Sequence, residues 1–279
     1  MMGTGATFGL VEEQRDFEVR RARFLEVWPR LQDAIDRVAQ PKFSRLEPSA
    51  DAKVKAKVEA QKLVYTMGQV AIEDFMEIAL VCANGYGTAG YKLLRPMYEM
   101  TITAMYISRN PEEAEAFINY GHVHRRKFFT IAEHAGIELS DQVMSKRDEI
   151  EEKYQSIKDQ YRQVTCEACG IDRPLQSWTK KSLTDLAREV EFPQSAMWLN
   201  YLPTLHIHAT PFRLESRLSE TTDRVVVESG PRRDLADQAL FGAHVCLNLV
   251  LAELNGYFEL GLEQATLDRD FKYAWPRPA

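Results

Sequence analysis

Along most of this chain apolar residues recur every three or four positions with polar residues between them, the spacing of amphipathic helices. Phe17, Phe24, Leu25, Trp28, Leu31 and Ile35 mark a first helix over 11–39, closed by Pro41. A cap at Ser49-Ala50-Asp51-Ala52 opens a second helix through about Cys82, whose later half (Val64, Met67, Val70, Ala71, Phe75, Ile78) carries the core face. Asn84 to Thr88 reads as a turn, with Thr88 capping a third helix that runs to about Arg109. Asn110-Pro111-Glu112-Glu113 starts a fourth helix that stops at Gly136, and Ser140-Asp141 starts a highly charged fifth, an arm over 140–164. After a loop, Trp178 leads into a short helix over 183–190, and Pro193 into another over 196–207 that Pro211 ends. Arg232 to Thr266 reads as one long C-terminal helix with an irregular tail, and Val225-Val226-Val227 marks one extended loop or small hairpin within 222–229. No alternation of strands with helices is present. The pattern therefore predicts an all-α bundle of about eight helices in a single domain over 1–279.

One segment departs from the ordinary core pattern. Leu93-Leu94-Arg95-Pro96-Met97-Tyr98-Glu99 sets an arginine and a glutamate four residues apart inside an apolar helix, and charged residues are seldom buried unless paired. Leu93, Met97, Thr101, Ala104 and Ser108 form one stripe, expected in the core; Arg95, Glu99, Ile102 and Tyr106 form another. Pro96 removes a backbone hydrogen bond and is expected to bend the helix near Arg95. The ion pair reads either as a tie between helices or as a ligand-facing pair.

Composition narrows the field by exclusion. A hydrophobic fraction of 45% with 27% charged residues is that of an ordinary soluble protein, and a net charge of -6 offers no general attraction to nucleic acid. Four cysteines do not make a disulfide framework, which points to the cytoplasm. Cys166 and Cys169 have the spacing of half a zinc knuckle, but Cys82 and Cys246 stand at no ligand spacing, so no metal is assigned. The N-terminus lacks the basic start and apolar run of a signal peptide. The most apolar window, 239–260, is broken by His244, Asn248, Glu253 and Asn255, so it reads as a core helix and no membrane span is expected. Phosphate-cradling, dinucleotide and nucleophile-elbow glycine motifs are absent, and no cofactor is expected. The pairs His122/His124 and His206/His208 sit in helical context, where the rings diverge by about 200° and cannot share a metal. His208, read in the last turn of its helix, is placed where the helix dipole favours a protonated ring.

Three segments together resemble a known family. Arg95-x-x-x-Glu99 within Leu93–Glu99, then Trp178-Thr179-Lys180-Lys181-Ser182-Leu183, then Tyr201-x-x-Thr204-x-x-x-His208-x-Thr210 resemble, in order, the pattern of DUF5677, a family of unknown function. Thr204 and Thr210 stand where that pattern has serine, which preserves the hydroxyl. The resemblance covers about 65–262 and leaves the N-terminal helix within 1–48 outside. It implies one polar cluster of Arg95, Glu99, Trp178, Tyr201, Thr204, His208 and Thr210. A more distant likeness is to helical HEPN nucleases, which cleave RNA without metal through an arginine and a histidine a few residues apart. Here Asn200 stands six residues before His206, where the arginine belongs.

Three readings follow. In the first, Arg95 and His208 hold a small anionic or polar ligand in a helical binding module, with Glu99 orienting Arg95 and Trp178 or Tyr201 walling the pocket. In the second, His208 or His206 is the general base and Arg95 the charge stabiliser of a ribonuclease working at a homodimer cleft. In the third, the cluster is structural and the 140–164 arm is a partner surface.

Overall fold

The computed structural model describes residues 11–38, 51–164, 172–221, 224–227 and 230–276. The fold is all-α. Two compact units are distinguished. The first falls within Met1–Glu47, Gln61–Arg109 and Leu186–Ala279, the second within Pro48–Ala60 and Asn110–Asp185.

In the first unit, helix α1 (Val11–Arg20) leads into α2 (Ala22–Val38) with a one-residue loosening at Arg21, where the periodicity predicts one continuous helix. The apolar positions of α2 follow the helical period: Phe24, Val27, Leu31, Ala34, Ile35 and Val38 are all buried. Helix α3 (Ala52–Ala83) belongs to the first unit from Gln61 onward; its start, in the second unit, is capped by Asp51, whose carboxylate accepts the Lys53 backbone N–H at 2.8 Å. The expected cap residues Ser49 and Ala50, and Pro41, lie outside the described residues. The expected core half of α3 faces inward, with Val64, Met67, Ala71, Phe75 and Ile78 buried.

Helix α4 (Gly87–Arg109) starts one residue before the expected cap Thr88 and runs unbroken through Pro96, which is exposed. Leu94 takes the fully buried place expected of Leu93. From Thr101 to Ile107 every residue is buried, so the helix passes from amphipathic to enclosed within two turns. Its partner is α11 (Arg233–Phe258). The contact is close because α4 carries glycine at its start: a Cβ on Gly87 would sit 2.2 Å from the Ala236 backbone nitrogen and 2.4 Å from the Arg232 carbonyl oxygen. Gly242 of α11 admits Leu94 of α4 together with Leu199; a Cβ there would lie 2.4 Å from Leu199 Cδ2. Leu199 belongs to α9 (Trp198–Ile207), which follows α8 (Leu183–Glu189).

The expected final helix is broken. Chain reversal after Phe258 is held by Asn255, whose side chain accepts the Leu262 N–H and donates to the Leu262 carbonyl, both at 3.0 Å. Helix α12 (Gln264–Ala274) then takes up part of the tail expected to be irregular. It returns to α2 through Arg30, which grips Asp270 with Nε at 2.6 Å and Nη2 at 3.0 Å. At the other end of α11, Arg233 makes a bidentate pair with Glu13 at 2.7 Å on both arms and lowers the pKa of that carboxylate. By length and composition α11 could cross a membrane, and 67% of its most apolar window is buried inside the fold.

Between α2, α3, α11 and α12 lies an aromatic box around the buried His244, built from Phe24, Phe75, Phe271 and Trp275. The Trp275 indole, which can only donate, bonds His244 Nδ1 at 3.0 Å. That contact requires the neutral ring with its proton on Nε2.

In the second unit, a 3-10 turn at Pro111–Glu113 opens α5 (Ala114–His134). The charged arm expected as one helix is instead α6 (Asp141–Met144), α7 (Arg147–Ile157), a 3-10 turn at Lys158–Tyr161 and strand β1 (Arg162–Val164). It packs on α5 as well as facing solvent. Tyr161 is buried and donates to the Ala116 carbonyl at 2.7 Å, Arg126 lies 5.0 Å over the Tyr154 ring, and Ile157 is buried. The expected run of alternating charge hides these three inward anchors. Strand β1 pairs antiparallel with β2 (Asp172–Pro174), an additional ladder where the sequence reads as loop. Cys166 and Cys169 lie outside the described residues. In the first unit, the valine run forms the expected hairpin, β3 (Leu218–Thr221) with β4 (Arg224–Val227).

Burial pushes the His244 pKa down to about 4. An unfolded-state histidine titrates at about 6.5, so protonation of the unfolded chain alone drains stability as pH falls from that value toward 4. Urea unfolding should show about 2 kcal/mol lost between pH 7 and pH 5 that is missing in His244→Phe. An identical pH dependence in the two proteins would contradict the neutral, buried ring.

Candidate functional site

The face of α4 that carries Arg95 lies along α9, and the two helices run antiparallel. The seam can be followed pair by pair. At one end the Tyr98 hydroxyl reaches Met197 Sδ at 4.0 Å, and the Tyr98 ring meets Phe192 edge-on at 5.1 Å. One turn along, Arg95 donates from Nη1 to the Asn200 side-chain oxygen and from Nη2 to Glu99 Oε1 at 2.6 Å. One turn further along α4 the ring of His206 stacks on Tyr91, centroids 5.1 Å apart, and the Tyr91 hydroxyl bonds Gln238 of α11 at 2.7 Å.

Arg95 is thus held from two sides by partners on different helices. Its side chain keeps 22% of its surface exposed and that of Glu99 keeps 50%, so the pair stands at the edge of the core. An ion pair this wet contributes little to stability, about 0–1 kcal/mol. The arginine-first order is the weaker one for an isolated helix. Asn200 therefore does as much as Glu99 to fix the guanidinium.

Beside Tyr98 and Met197 is a hollow of about 650 Å³ lined by Arg188, Glu191, Phe192, Pro193, Gln194 and Met197. Its rim includes a strained residue. Glu191 has φ 56°, the left-handed position that follows α8, where its N–H bonds the Arg188 carbonyl at 3.0 Å and the next N–H, from Phe192, bonds Ala187 at 2.8 Å. This is the helix-ending arrangement normally given to glycine.

The structure brings together two of the residues singled out in the sequence, Arg95 and Glu99, and distributes the others. His208 is exposed and extended (φ −89°, ψ 162°), past the last turn of α9 rather than within it. Asn200 and His208 are eight positions apart, so His208 lies roughly 12 Å beyond the Arg95 contact along the axis. Tyr201, one position round from Asn200, is 65% exposed. Thr204 returns its hydroxyl to the Asn200 carbonyl at 2.8 Å. Thr210 caps α10 (Pro211–Glu215), accepting the Arg213 N–H at 3.3 Å and donating to the Leu205 carbonyl at 2.6 Å. Pro211, expected to end a helix, occupies the first turn of that next one. Trp178 belongs to the second unit, where it packs edge-on against Phe117 at 5.5 Å. The Trp178 segment supplies a cap as well: Ser182 and Asp185 exchange the bonds of a capping box at the start of α8.

Asn200 and His206 are the members of the seam that sequence reasoning does not place there. The one signal Asn200 carries in the sequence is its place six residues before His206, where the HEPN pattern has its arginine. His206 is visible as one of a pair, but only packing shows that it is the buried one, 3% exposed. Burial, with Arg232 and Arg213 nearby, lowers its pKa and keeps the ring neutral. Among the described residues no group of three or more His, Cys, Asp or Glu side chains is placed to hold a metal ion.

The sequence model of a family of unknown function, DUF5677, matches residues 62–225, more than half of the chain. The chain belongs to the DUF5677 family. The matched DUF5677 region holds the whole α4–α9 seam and stops before α11, short of the expected limit near Leu262. No curated protein and no solved structure matches the chain significantly.

Replacing Glu191 by glycine should relieve the left-handed strain and raise the unfolding free energy by about 1 kcal/mol in urea titration. A loss of stability would show that the Glu191 side chain contributes more to the fold than its backbone costs.

Proposed function

We propose that this DUF5677 protein is a helical binding module in which Arg95 and Glu99 receive a small polar or anionic ligand at the edge of the hollow beside Phe192 and Met197. The observation that carries the reading is the double tether of Arg95. Asn200 and Glu99 hold the guanidinium in place while part of it stays open to solvent. A tethered, partly exposed arginine loses little further freedom when it binds an anion, and a guanidinium has five N–H donors, of which contacts to Asn200 and Glu99 are seen among the described residues. Glu99 adds an acceptor for a donor group on the same ligand. The neighbouring hollow, lined by Phe192 and Met197 and not by Arg95 or Glu99 themselves, has at about 650 Å³ the size of a small-molecule site.

One observation favours the nuclease reading: the Arg95 guanidinium meets Asn200, the position at which the HEPN pattern has its arginine. Spacing and burial weigh against it. His206 lies roughly 9 Å further along α9, buried under Tyr91, too far to act with Arg95 on one phosphate. The binding reading is therefore preferred to the catalytic one.

Thermal unfolding in the presence of inorganic phosphate, succinate or adenosine monophosphate tests this. One of the three at a hundredfold excess over its Kd should raise Tm by roughly 5 °C, and Arg95→Gln should abolish the rise. No shift with any of them, or a shift that survives Arg95→Gln, would overturn the proposal. Single-stranded RNA incubated with the protein should remain intact.

A further inference from the structure

A second concavity lies entirely within the second unit and is built unlike the first. Between α5 and the α6–α7 segment is a hollow of about 490 Å³. Phe128 and Phe129 of α5, Val143 of α6 and Ile150 of α7 supply its apolar walls. Phe128 is 53% exposed and Val143 36%, so the site is open to solvent. Two cations, Arg125 and Lys146, also line it.

The two cations at this hollow differ from their neighbours in how they are paired. Across α5 and α7, Glu133 is taken by Arg147 at 3.3 Å, and Glu151 faces Arg126 at 3.5 Å. Among the described residues no carboxylate pairs with Arg125 or Lys146. Arg125 folds back so that Nη1 lies 3.3 Å from His122 Nδ1, which positions the guanidinium without neutralising it. The arrangement pairs an apolar floor with two cations that form no ion pair among the described residues, with Glu149 the acid near His122.

We infer that this hollow binds a small amphiphilic anion, an aliphatic or aromatic body carrying one carboxylate or sulfonate, with the body against Phe128, Phe129, Val143 and Ile150 and the anionic group between Arg125 and Lys146. Dimensions favour a small molecule over a partner helix. The lining of α5 spans His124 to Phe129, roughly 8 Å along the axis. A helix seated in a groove is read through anchors at i, i+3, i+4 and i+7, roughly 10 Å at 1.5 Å per residue. The volume is that of a small-ligand pocket. An anion there gains two charge-assisted contacts that a neutral analogue of the same shape does not.

Anilinonaphthalene sulfonate, an aromatic anion that fluoresces when shielded from water, is the direct probe on the full chain. It should bind at one saturable site, be displaced by octanoate and not by octanol, and weaken as salt is raised. The double variant Arg125→Gln/Lys146→Gln should bind it roughly tenfold more weakly, with near-UV circular dichroism confirming an unchanged fold. Val143→Glu, which adds a negative charge to the wall without touching either cation, should weaken it as well. Equal affinity in the wild-type and double-variant proteins, or displacement by octanol as effective as by octanoate, would overturn the assignment. So would displacement by an acidic amphipathic peptide where octanoate fails, which would make the hollow a protein-docking site.

Discussion

The approach of α4 to α11 at Gly87 is the constraint on which the rest of the first unit depends. Backbone there meets backbone, with the Ala236 nitrogen and the Arg232 carbonyl oxygen in the space that any side chain would need. Rotamer changes cannot relieve such a contact, so it fixes how deep α4 sits and how it is turned about its axis. With α4 set, Leu94 enters the gap at Gly242 beside Leu199, and Leu199 brings α9 into place. Tyr91, Arg95 and Tyr98 then point along α9 as a consequence of their spacing on α4. The Arg95–Asn200 contact follows from packing two helices away.

The polar groups of the first unit fall into two kinds. Some are finished by their partners. His244 has its indole donor, Thr204 and Thr210 spend their hydroxyls on backbone, and Glu13 and Asp270 are each gripped by an arginine. The pair of Arg95 and Glu99 differs in its acid, which keeps 50% of its side-chain surface exposed where Glu13 and Asp270 keep 10% and 12%. That contrast locates the candidate site more sharply than conformity to a motif does. It also explains what the Tyr201–Thr210 pattern contributes: its two threonines support the helix and its exit into α10.

How much of this was legible in the sequence depended on range. Period and caps are local, so α2, α3, α4 and the valine hairpin were readable, as was the Arg95–Glu99 pair on one helical face. Breaks decided by a distant bond were not. Asn255 looks like one polar interruption in an apolar helix, yet its side chain clamps Leu262 and turns the chain. The arm over 140–164 reads as one exposed helix because charge dominates its composition; Ile157, Tyr161 and the Tyr154–Arg126 contact are anchors that only α5 reveals. The His206/His208 pair shows the limit most clearly. Both rings have the same local surroundings in sequence, but the end of α9 falls between them, burying one against Tyr91 and leaving the other in solvent. The helical period discloses α11 over its whole length, while the family match ends at 225, before the helix that positions α4.

The most direct test of this account compares Gly87→Ala with Gly256→Ala by equilibrium unfolding. Gly256 is an exposed position of α11 where an added methyl group would meet nothing within 4 Å, so alanine there should be neutral or stabilise by up to about 1 kcal/mol through helix propensity. Alanine at Gly87 should cost about 3 kcal/mol, because backbone must move to admit it. Equal effects at the two positions would contradict the claim that the α4–α11 contact sets the rest of the first unit.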